Sequence, residues 1–553
     1  MTEMTERVWG IDLGTTYSCI ARLDEFGRPA VVNNLDGDPT TPSVVYFPGP
    51  GQVPVVGKEA KRQLFVEPDA VCQLVKREMG NRDWHFDARG DQLTAADVAA
   101  HILKSLALSA HQATGEDVHK VVITVPAYFG QVERDMTAQA GAIAGLEVLG
   151  IINEPVAAAL SYRFALEAPT DETVLVYDLG GGTFDTTVVK LTGDAIEVIA
   201  TDGNHRLGGV DWDECLTVEL ARRFREANPE AGNPLDDPIG AVELRGRAED
   251  LKRSLSTRDT LTELVQAGAA RATVTITRQE FEDITRHLLE ETIQLTHAVI
   301  DEAAEKGSQR IDRVLLVGGS SLMPAVPRRL NEEFGWTPEL RNPNLAVALG
   351  AAWFAAHQQV IDIVGTAGVD PAKIKDAAET LGITPQRVRD LVKTKITNVC
   401  SRGFGIKVLR PEYIDDVHAG RMDEDDERCN RVDHLVKRND KLPLTTTGKY
   451  ATSADNQRQI HLVVYEQGGA DLSDRMSDNN FVVDGHFDLP DGLPEGAPLQ
   501  VAFALAENGT LTVTLSRPGD DKTLVLTHDV SSALTPDEVA TKTREFHALY
   551  RAS

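Results

Sequence analysis

The sequence predicts an internally duplicated α/β domain followed by an antiparallel β domain, and three observations carry that reading. From residue 7 to about residue 357, strand-like apolar runs alternate with amphipathic helices, the pattern of a sheet flanked by helices with ligands at strand C-termini. Within that stretch two similar turns recur, Asp12-Leu13-Gly14-Thr15-Thr16-Tyr17-Ser18 and Asp178-Leu179-Gly180-Gly181-Gly182-Thr183-Phe184-Asp185, each at the end of an apolar strand. From about 397 to 530 the periodicity changes to alternating apolar and polar residues broken by turns, which marks antiparallel strands.

The bulk properties narrow the classes open to this chain. Its 553 residues exceed one core, and about three or four domains are expected. Hydrophobic content of 42% and charged content of 25% are those of a globular protein. A net charge of −29 repels nucleic acid and anionic membrane as a whole-molecule field. The five cysteines, Cys19, Cys72, Cys215, Cys400 and Cys429, form no C-x-x-C pair, so neither a zinc ribbon nor a disulfide framework is indicated. The N-terminal residues contain no apolar signal core and no run of 18 apolar residues occurs. A cytoplasmic location is expected.

In chain order, Val121-Val122-Ile123-Thr124-Val125 reads as a strand before a helix around Gln131–Ala144, and Arg313-Val314-Leu315-Leu316-Val317 as a strand before Gly318-Gly319. Ala346–Ala356, apolar and alanine-rich, closes the region, so the first domain is placed at 1–357. Residues 358–396 hold two short helical patterns, Pro371–Leu381 and Thr384–Lys393, joined by Gly382-Ile383. The β domain, 397–530, is read from Ser401–Leu409, Gln459–Tyr465, Leu499–Leu505 and Leu511–Leu515, with turns at Glu507-Asn508-Gly509 and Pro518-Gly519-Asp520. Its acidic run Asp423-Glu424-Asp425-Asp426-Glu427 reads first as a solvated loop. A short helix around Pro536–Leu549 falls in the last segment, 531–553, which begins Ala533-Leu534-Thr535-Pro536.

The chemistry concentrates in the two turns. Glycine lets the backbone N–H groups converge on phosphate oxygens while the Asp faces a hydrated cation. No G-x-x-x-x-G-K-[ST] loop is present. Duplicated turns of this kind place a nucleotide between two lobes.

Five segments, WGIDLGTTYSCIA, VVITVPAYFGQVERDMTAQAGAIAGLEVLGIINEPVAAALSY, VYDLGGGTFDTTVV, RLGGVDWDE and VLLVGGSSLMPAVP, closely resemble, in order, the ATPase domain of the seventy-kilodalton heat-shock (DnaK-type) chaperones. The resemblance spans 7–357 and continues more loosely from 397 to about 530 as a peptide-binding β-sandwich. It implies an actin-like, two-lobed ATPase hydrolysing ATP to ADP with Mg2+, and K+ as a further candidate cation. By this resemblance Thr15, Thr16 and Tyr17 form the first phosphate loop, and Gly180, Gly181, Gly182 and Thr183 the second. Asp12 and Asp178 would hold the magnesium through its waters. Lys76 matches the lysine that contacts the γ-phosphate and the attacking water, and Glu154, Asp185 and Thr183 surround that water, which needs orientation more than a strong base.

On the nucleoside side, Glu249, Lys252, Arg253 and Ser256 match the family's adenosine helix, and their spacing puts all four on one face. Gly318, Gly319 and Ser320 match the turn that approaches the sugar and α-phosphate. Leu322 stands where the family usually has an arginine packing on the base, and Asn344 where an Asp is common. Altered nucleotide affinity or release is therefore expected.

In the β domain, Val436–Pro443 and Tyr450–Gln457 resemble family segments, and that register assigns Ile406, Val408, Leu409, Tyr450, Ile460 and Leu462 to a groove for extended apolar peptide. The same alternation also describes a sandwich core. The acidic insertion Glu412–Glu427 falls beside the groove and would favour basic clients.

Three departures bear on function. The helical lid is expected to be missing, so bound peptide should leave quickly. The acidic, leucine-rich interdomain linker is replaced by 358–396, where Val360-Ile361-Asp362-Ile363-Val364 is the nearest equivalent. Gly150 stands where the family has an arginine that contacts J-domain co-chaperones. Ala378, Gly382 and Val388 have helix-turn-helix spacing, with Arg387, Arg389 and Lys393 on the second helix, and a two-helix spacer packed on a domain face is the competing account.

The leading expectation is thus an ATP-hydrolysing chaperone with nucleotide-gated peptide binding, aided by a nucleotide-exchange factor, with J-domain stimulation in question and no membrane partner. The alternatives are a nucleotide-dependent scaffold with one dedicated partner and an ATP-controlled DNA-binding regulator.

Overall fold

The computed structural model describes residues 7–551 apart from 167–170, 194, 366–369, 424–425, 470–471, 507–509, 521 and 528–535. The chain forms two compact units, the first of Met1–Tyr128, Glu133–Lys395 and Pro536–Ser553, the second of Phe129–Val132 and Ile396–Thr535. Part of the acidic run (Glu424, Asp425), the Glu507-Asn508-Gly509 turn and Ala533-Leu534-Thr535 lie outside the described residues.

The first unit is built on two sheets of the same design. In one, Val8–Asp12 pairs in parallel with Lys120–Val125, which pairs in parallel with Glu147–Asn153. On its other side Val8–Asp12 runs antiparallel to Tyr17–Leu23, and that strand antiparallel to Pro29–Val32. The second sheet repeats this around Asp171–Leu179, with parallel neighbours Arg313–Val317 and Glu339–Leu340 on one side and the antiparallel strands Phe184–Thr192 and Ala195–Asn204 on the other. Each central strand carries its Asp at the C-terminal end, Asp12 last and Asp178 next to last. The duplication anticipated from two turns therefore extends to strand order and direction.

The helices follow the predicted patterns with modest changes of boundary. Gln131–Ile143 and Pro371–Leu381 form where expected, and Thr384 caps Pro385–Lys393 by accepting from the Arg387 amide. The closing helix runs to Val364, as Ala346–Val364, and packs on the Val8–Asp12 strand and on helix Glu154–Ala165. It is apolar enough by composition to cross a membrane, but 61% of the stretch is buried inside the protein, which marks it as a core helix. Val360-Ile361-Asp362-Ile363-Val364, the nearest equivalent of the family linker, forms the last turns of that helix, with Val360 and Val364 in its buried stripe.

Residues 371–393 pack on the first unit. Ile374, Ala377, Ala378, Leu381, Val388 and Leu391 join Trp353, Val360 and Leu23 in one core. Phe164 stacks on Trp353 at 4.5 Å between ring centroids, and the Arg387 guanidinium lies 4.6 Å from the Trp353 centroid and 5.2 Å from that of Phe164. Arg387 thus packs on two aromatic faces, and the two helices share a core with the first unit, as the two-helix spacer account expects.

The second unit is a sandwich of two antiparallel four-stranded sheets. One orders Asn430–Val436, Phe404–Leu409, Gln459–Gln467 and Asn479–Asp488, the other Leu444–Ala451, Pro498–Leu505, Leu511–Ser516 and Thr523–Thr527. Alternate residues of both sheets, among them Phe404, Val464, Phe487, Val501, Phe503 and Val513, form the shared core. Ile406 and Leu462, expected to line a groove, are buried in that core at 4% and 3% exposure. Val408, Tyr450 and Ile460 are half-buried against it, and the Tyr450 hydroxyl donates to Asp433 at 2.8 Å. Leu409 is half-buried outside that cluster.

Candidate active site

Both Asp/Gly/Thr turns are locked by local hydrogen bonds that follow from their residue types. In the first, the Gly14 amide donates to Ser18 Oγ at 3.1 Å, and Ser43 Oγ donates to the Gly14 carbonyl at 2.8 Å. In the second, the Gly180 amide donates to the Thr183 carbonyl at 3.0 Å, while the amides of Gly209 and Val210 donate to the carbonyls of Gly180 and Gly181 at 3.0 and 2.8 Å. The turns face each other: a side chain on Gly181 would collide with Thr16 and one on Gly182 with Thr15. Glycine is required there by proximity of the two loops.

Lys76 lies in a short 3-10 turn, Val75–Glu78, preceded by Leu74 in the left-handed region at φ 61°. It is 4% exposed and forms an ion pair with Glu154, the first residue of helix Glu154–Ala165. Asp12, Asp178 and Asp185 stand around this pair, Asp178 and Asp185 buried and Asp12 half-buried. Burial, and then the negative charge of Glu154, push the Asp12 carboxyl up to about 7, while Lys76 and a hydrogen bond donated by Thr124 Oγ1 at 3.2 Å pull the other way. Burial and the neighbouring carboxylates hold Asp178 and Asp185 well above the usual carboxylate range. Asp185 Oδ1 accepts from the Ala127 amide at 3.1 Å, whereas its Oδ2 is buried with no hydrogen-bond partner among the described residues.

Four carboxylates against one ammonium form a site that lacks positive charge. A hydrated divalent cation fits this donor set: oxygen ligands, hard and anionic, with an orphaned carboxylate oxygen in place. Asp12 and Asp178, at the ends of the two central strands, would hold it. The chain could also accept the anionic partner such a cation brings, through the opposed glycine turns.

The expected nucleoside helix, Pro238–Leu255, carries Glu249, Lys252 and Arg253 in its last turns. Glu249 pairs with Lys61 at 2.5 Å and with Arg253 at 2.6 Å. Lys252 Nζ donates to the Gly209 carbonyl and to Asp213, both at 2.8 Å. Arg253 donates to the Tyr17 hydroxyl at 2.8 Å with its guanidinium 5.3 Å from the ring centroid. Ser256 Oγ donates to the Lys252 carbonyl at 3.3 Å. Gly318, at φ +81°, backs directly on Asp178 and Leu179. Ser320 is buried beside Gly209, and a Cβ on Gly319 would stand 3.0 Å from Asn344 Oδ1. Leu322 is exposed.

Sequence reasoning missed several participants. Arg77 donates to the Gly182 carbonyl at 2.8 Å and to Asp211 at 2.7 Å, tying the Lys76 segment to the second turn. Lys61 Nζ donates to Glu249, joining helix Lys58–Gln63 to helix Pro238–Leu255. Adjacency to Lys76 could have flagged Arg77; nothing local flags Lys61. A family model, that of the Hsp70 protein, matches residues 8–89 and 82–398 of this chain.

Proposed function

The chain belongs to the Hsp70 family, whose members are ATP-binding chaperones with ATPase activity, and from that premise we propose that it hydrolyses ATP between the two turns and uses the nucleotide to gate peptide binding by its sandwich. The observation that carries the reading is the buried Lys76–Glu154 ion pair, enclosed by Asp12, Asp178 and Asp185 and flanked by two opposed glycine turns. The amides of Thr15–Tyr17 and Gly180–Thr183 bind phosphate oxygens. Lys76, a point charge in a dry site, stabilises charge that develops on the transferred phosphoryl group. Glu154 holds Lys76 in place and, with Asp185, orients the attacking water. Mg2+, held through water by Asp12 and Asp178, supplies charge neutralisation at the phosphates.

For the sandwich, we propose an extended apolar client that docks along Val408, Tyr450 and Ile460. The burial of Ile406 and Leu462 in the core leaves a smaller apolar surface than the register suggested, and this favours a narrower partner range than a general chaperone has. A dedicated partner is therefore the second reading. Rapid peptide exchange follows in either case, because the helix after the sandwich, Pro536–Arg551, packs on the first unit. Gly150 lies in the strand Glu147–Asn153 and presents no charge to a J-domain, so stimulation by such a co-chaperone is expected to be weak.

The test is ATP turnover of wild type and Lys76→Ala beside equilibrium ATP binding. Turnover should fall by roughly a hundredfold or more while ATP still binds. Undiminished turnover would refute the assignment. Fluorescence polarisation of an apolar peptide with ATP, with ADP and without nucleotide tests the gating.

A further inference from the structure

The helix Pro536–Arg551 docks on the first unit through one face. Lys542, Phe546 and Tyr550 recur at i, i+4 and i+8, so they align along the helix. Lys542 forms an ion pair with Asp97, which also caps the helix Ala95–Thr114. Phe546, buried, lies 4.7 Å from the His101 ring and 4.9 Å from that of Tyr550, and the Tyr550 hydroxyl and His101 Nδ1 are 3.1 Å apart. The cluster continues inward from His101 to Phe47 at 5.6 Å and from there to Phe86 at 5.4 Å. On a neighbouring stripe, Thr543 Oγ1 donates to the Ala142 carbonyl at 3.2 Å, and the His547 ring covers Gly145, where a Cβ would collide with it. The docked helix therefore touches two separate elements of the first unit.

Those two elements lead to the two halves of the active-site ion pair. Helix Ala95–Thr114 packs on the Val75–Glu78 turn that carries Lys76. The Ala142–Gly145 corner feeds directly into the strand Glu147–Asn153, whose next residue is Glu154.

We propose that the helix Pro536–Arg551 is a latch that sets the position of Lys76 relative to Glu154. Phe546 and Tyr550 are positioning residues, acting through helix Ala95–Thr114 and the Ala142–Gly145 corner. Close packing makes this effective, since a packed interior transmits a displacement that a loose contact would absorb. The proposal rests on the ATPase reading for its consequence in turnover but not for its structural content.

The test uses the full chain and compares wild type with Phe546→Ala/Tyr550→Ala, with Tyr550→Phe, and with Lys542→Glu, which opposes Asp97 without removing a ring. Hydrogen exchange of the helix and of the Val75–Glu78 turn is measured together with kcat and KM for ATP. Release of the helix by the double variant and by Lys542→Glu should raise exchange in the Val75–Glu78 turn and lower kcat roughly tenfold or more. ATP affinity should stay within about twofold because the phosphate turns are untouched. Tyr550→Phe keeps the ring and should behave as wild type. If the helix is released yet exchange at Val75–Glu78 and kcat both stay at wild-type levels, the proposal is overturned. Should wild type itself hydrolyse no ATP, the ATPase reading fails, and the exchange of the Val75–Glu78 turn still decides the latch.

Discussion

Replacing Asp12 with asparagine should stabilise the nucleotide-free protein above neutral pH while crippling its response to Mg-ATP. Asp12 is half-buried, and desolvation and the charge of Glu154 raise its carboxyl from the ordinary 3.8 to about 7. A tenfold change in proton affinity corresponds to about 1.4 kcal/mol, so keeping this group ionised in the folded protein costs about 4 kcal/mol. The sign follows from linkage: between pH 3.8 and about 7 the unfolded chain has released this proton and the folded chain has not. Stability from this group is therefore complete below pH 3.8, declines as pH rises, and is fully lost above about pH 7. Asparagine preserves the acceptor for Thr124 Oγ1 and removes the charge. Because Lys76 loses one of its counter-charges in the exchange, the net gain at pH 8 is expected at about 2–4 kcal/mol. Urea unfolding at pH 4 and pH 8, without metal or nucleotide, measures it through Trp9 and Trp353, both buried in the first unit. The two proteins should nearly coincide at pH 4 and separate at pH 8, and added Mg-ATP should stabilise wild type far more than the variant. A gap that is the same at both pH values, or an asparagine variant less stable at pH 8, would refute the electrostatic account of the site.

Three further outcomes are expected. Gly181→Ala forces a methyl group against Thr16, so the two turns must separate; isothermal titration should show ATP affinity at least tenfold weaker, with circular dichroism unchanged. Arg387→Ala removes a cation from beside the stacked rings of Trp353 and Phe164, a loss of about 1–2 kcal/mol, and limited proteolysis should then cut within 371–393 sooner than elsewhere in the first unit. Tyr450→Phe deletes the donor to Asp433 and should lower sandwich stability by about 1 kcal/mol, read from the denaturation midpoint.

Legibility from sequence was greatest where the chemistry is local. The turns at Asp12 and Asp178 could be read because strand, acid and glycine are contiguous, and the two short helices because Asp370 and Thr384 cap them at their starts. Groove residues were harder. Alternation along Phe404–Leu409 shows that one face is covered, but Ile406 faces the opposite sheet, and only the second sheet's position reveals that. The family register singled out Lys76, which pairs with Glu154, whereas Lys61, which pairs with Glu249, has no local mark at all.

By itself, then, the sequence determined the elements, their capping and the acid-and-glycine turns, because these depend on backbone geometry and on contacts a few residues apart. The tertiary structure decided which buried faces meet. It placed Lys76 against Glu154, laid Arg387 against the stacked Phe164 and Trp353 rings, and sent the helix Pro536–Arg551 to the first unit. An amphipathic stripe requires burial but does not name its partner, since apolar attraction is non-directional and the choice falls to the shape and charge of distant surfaces.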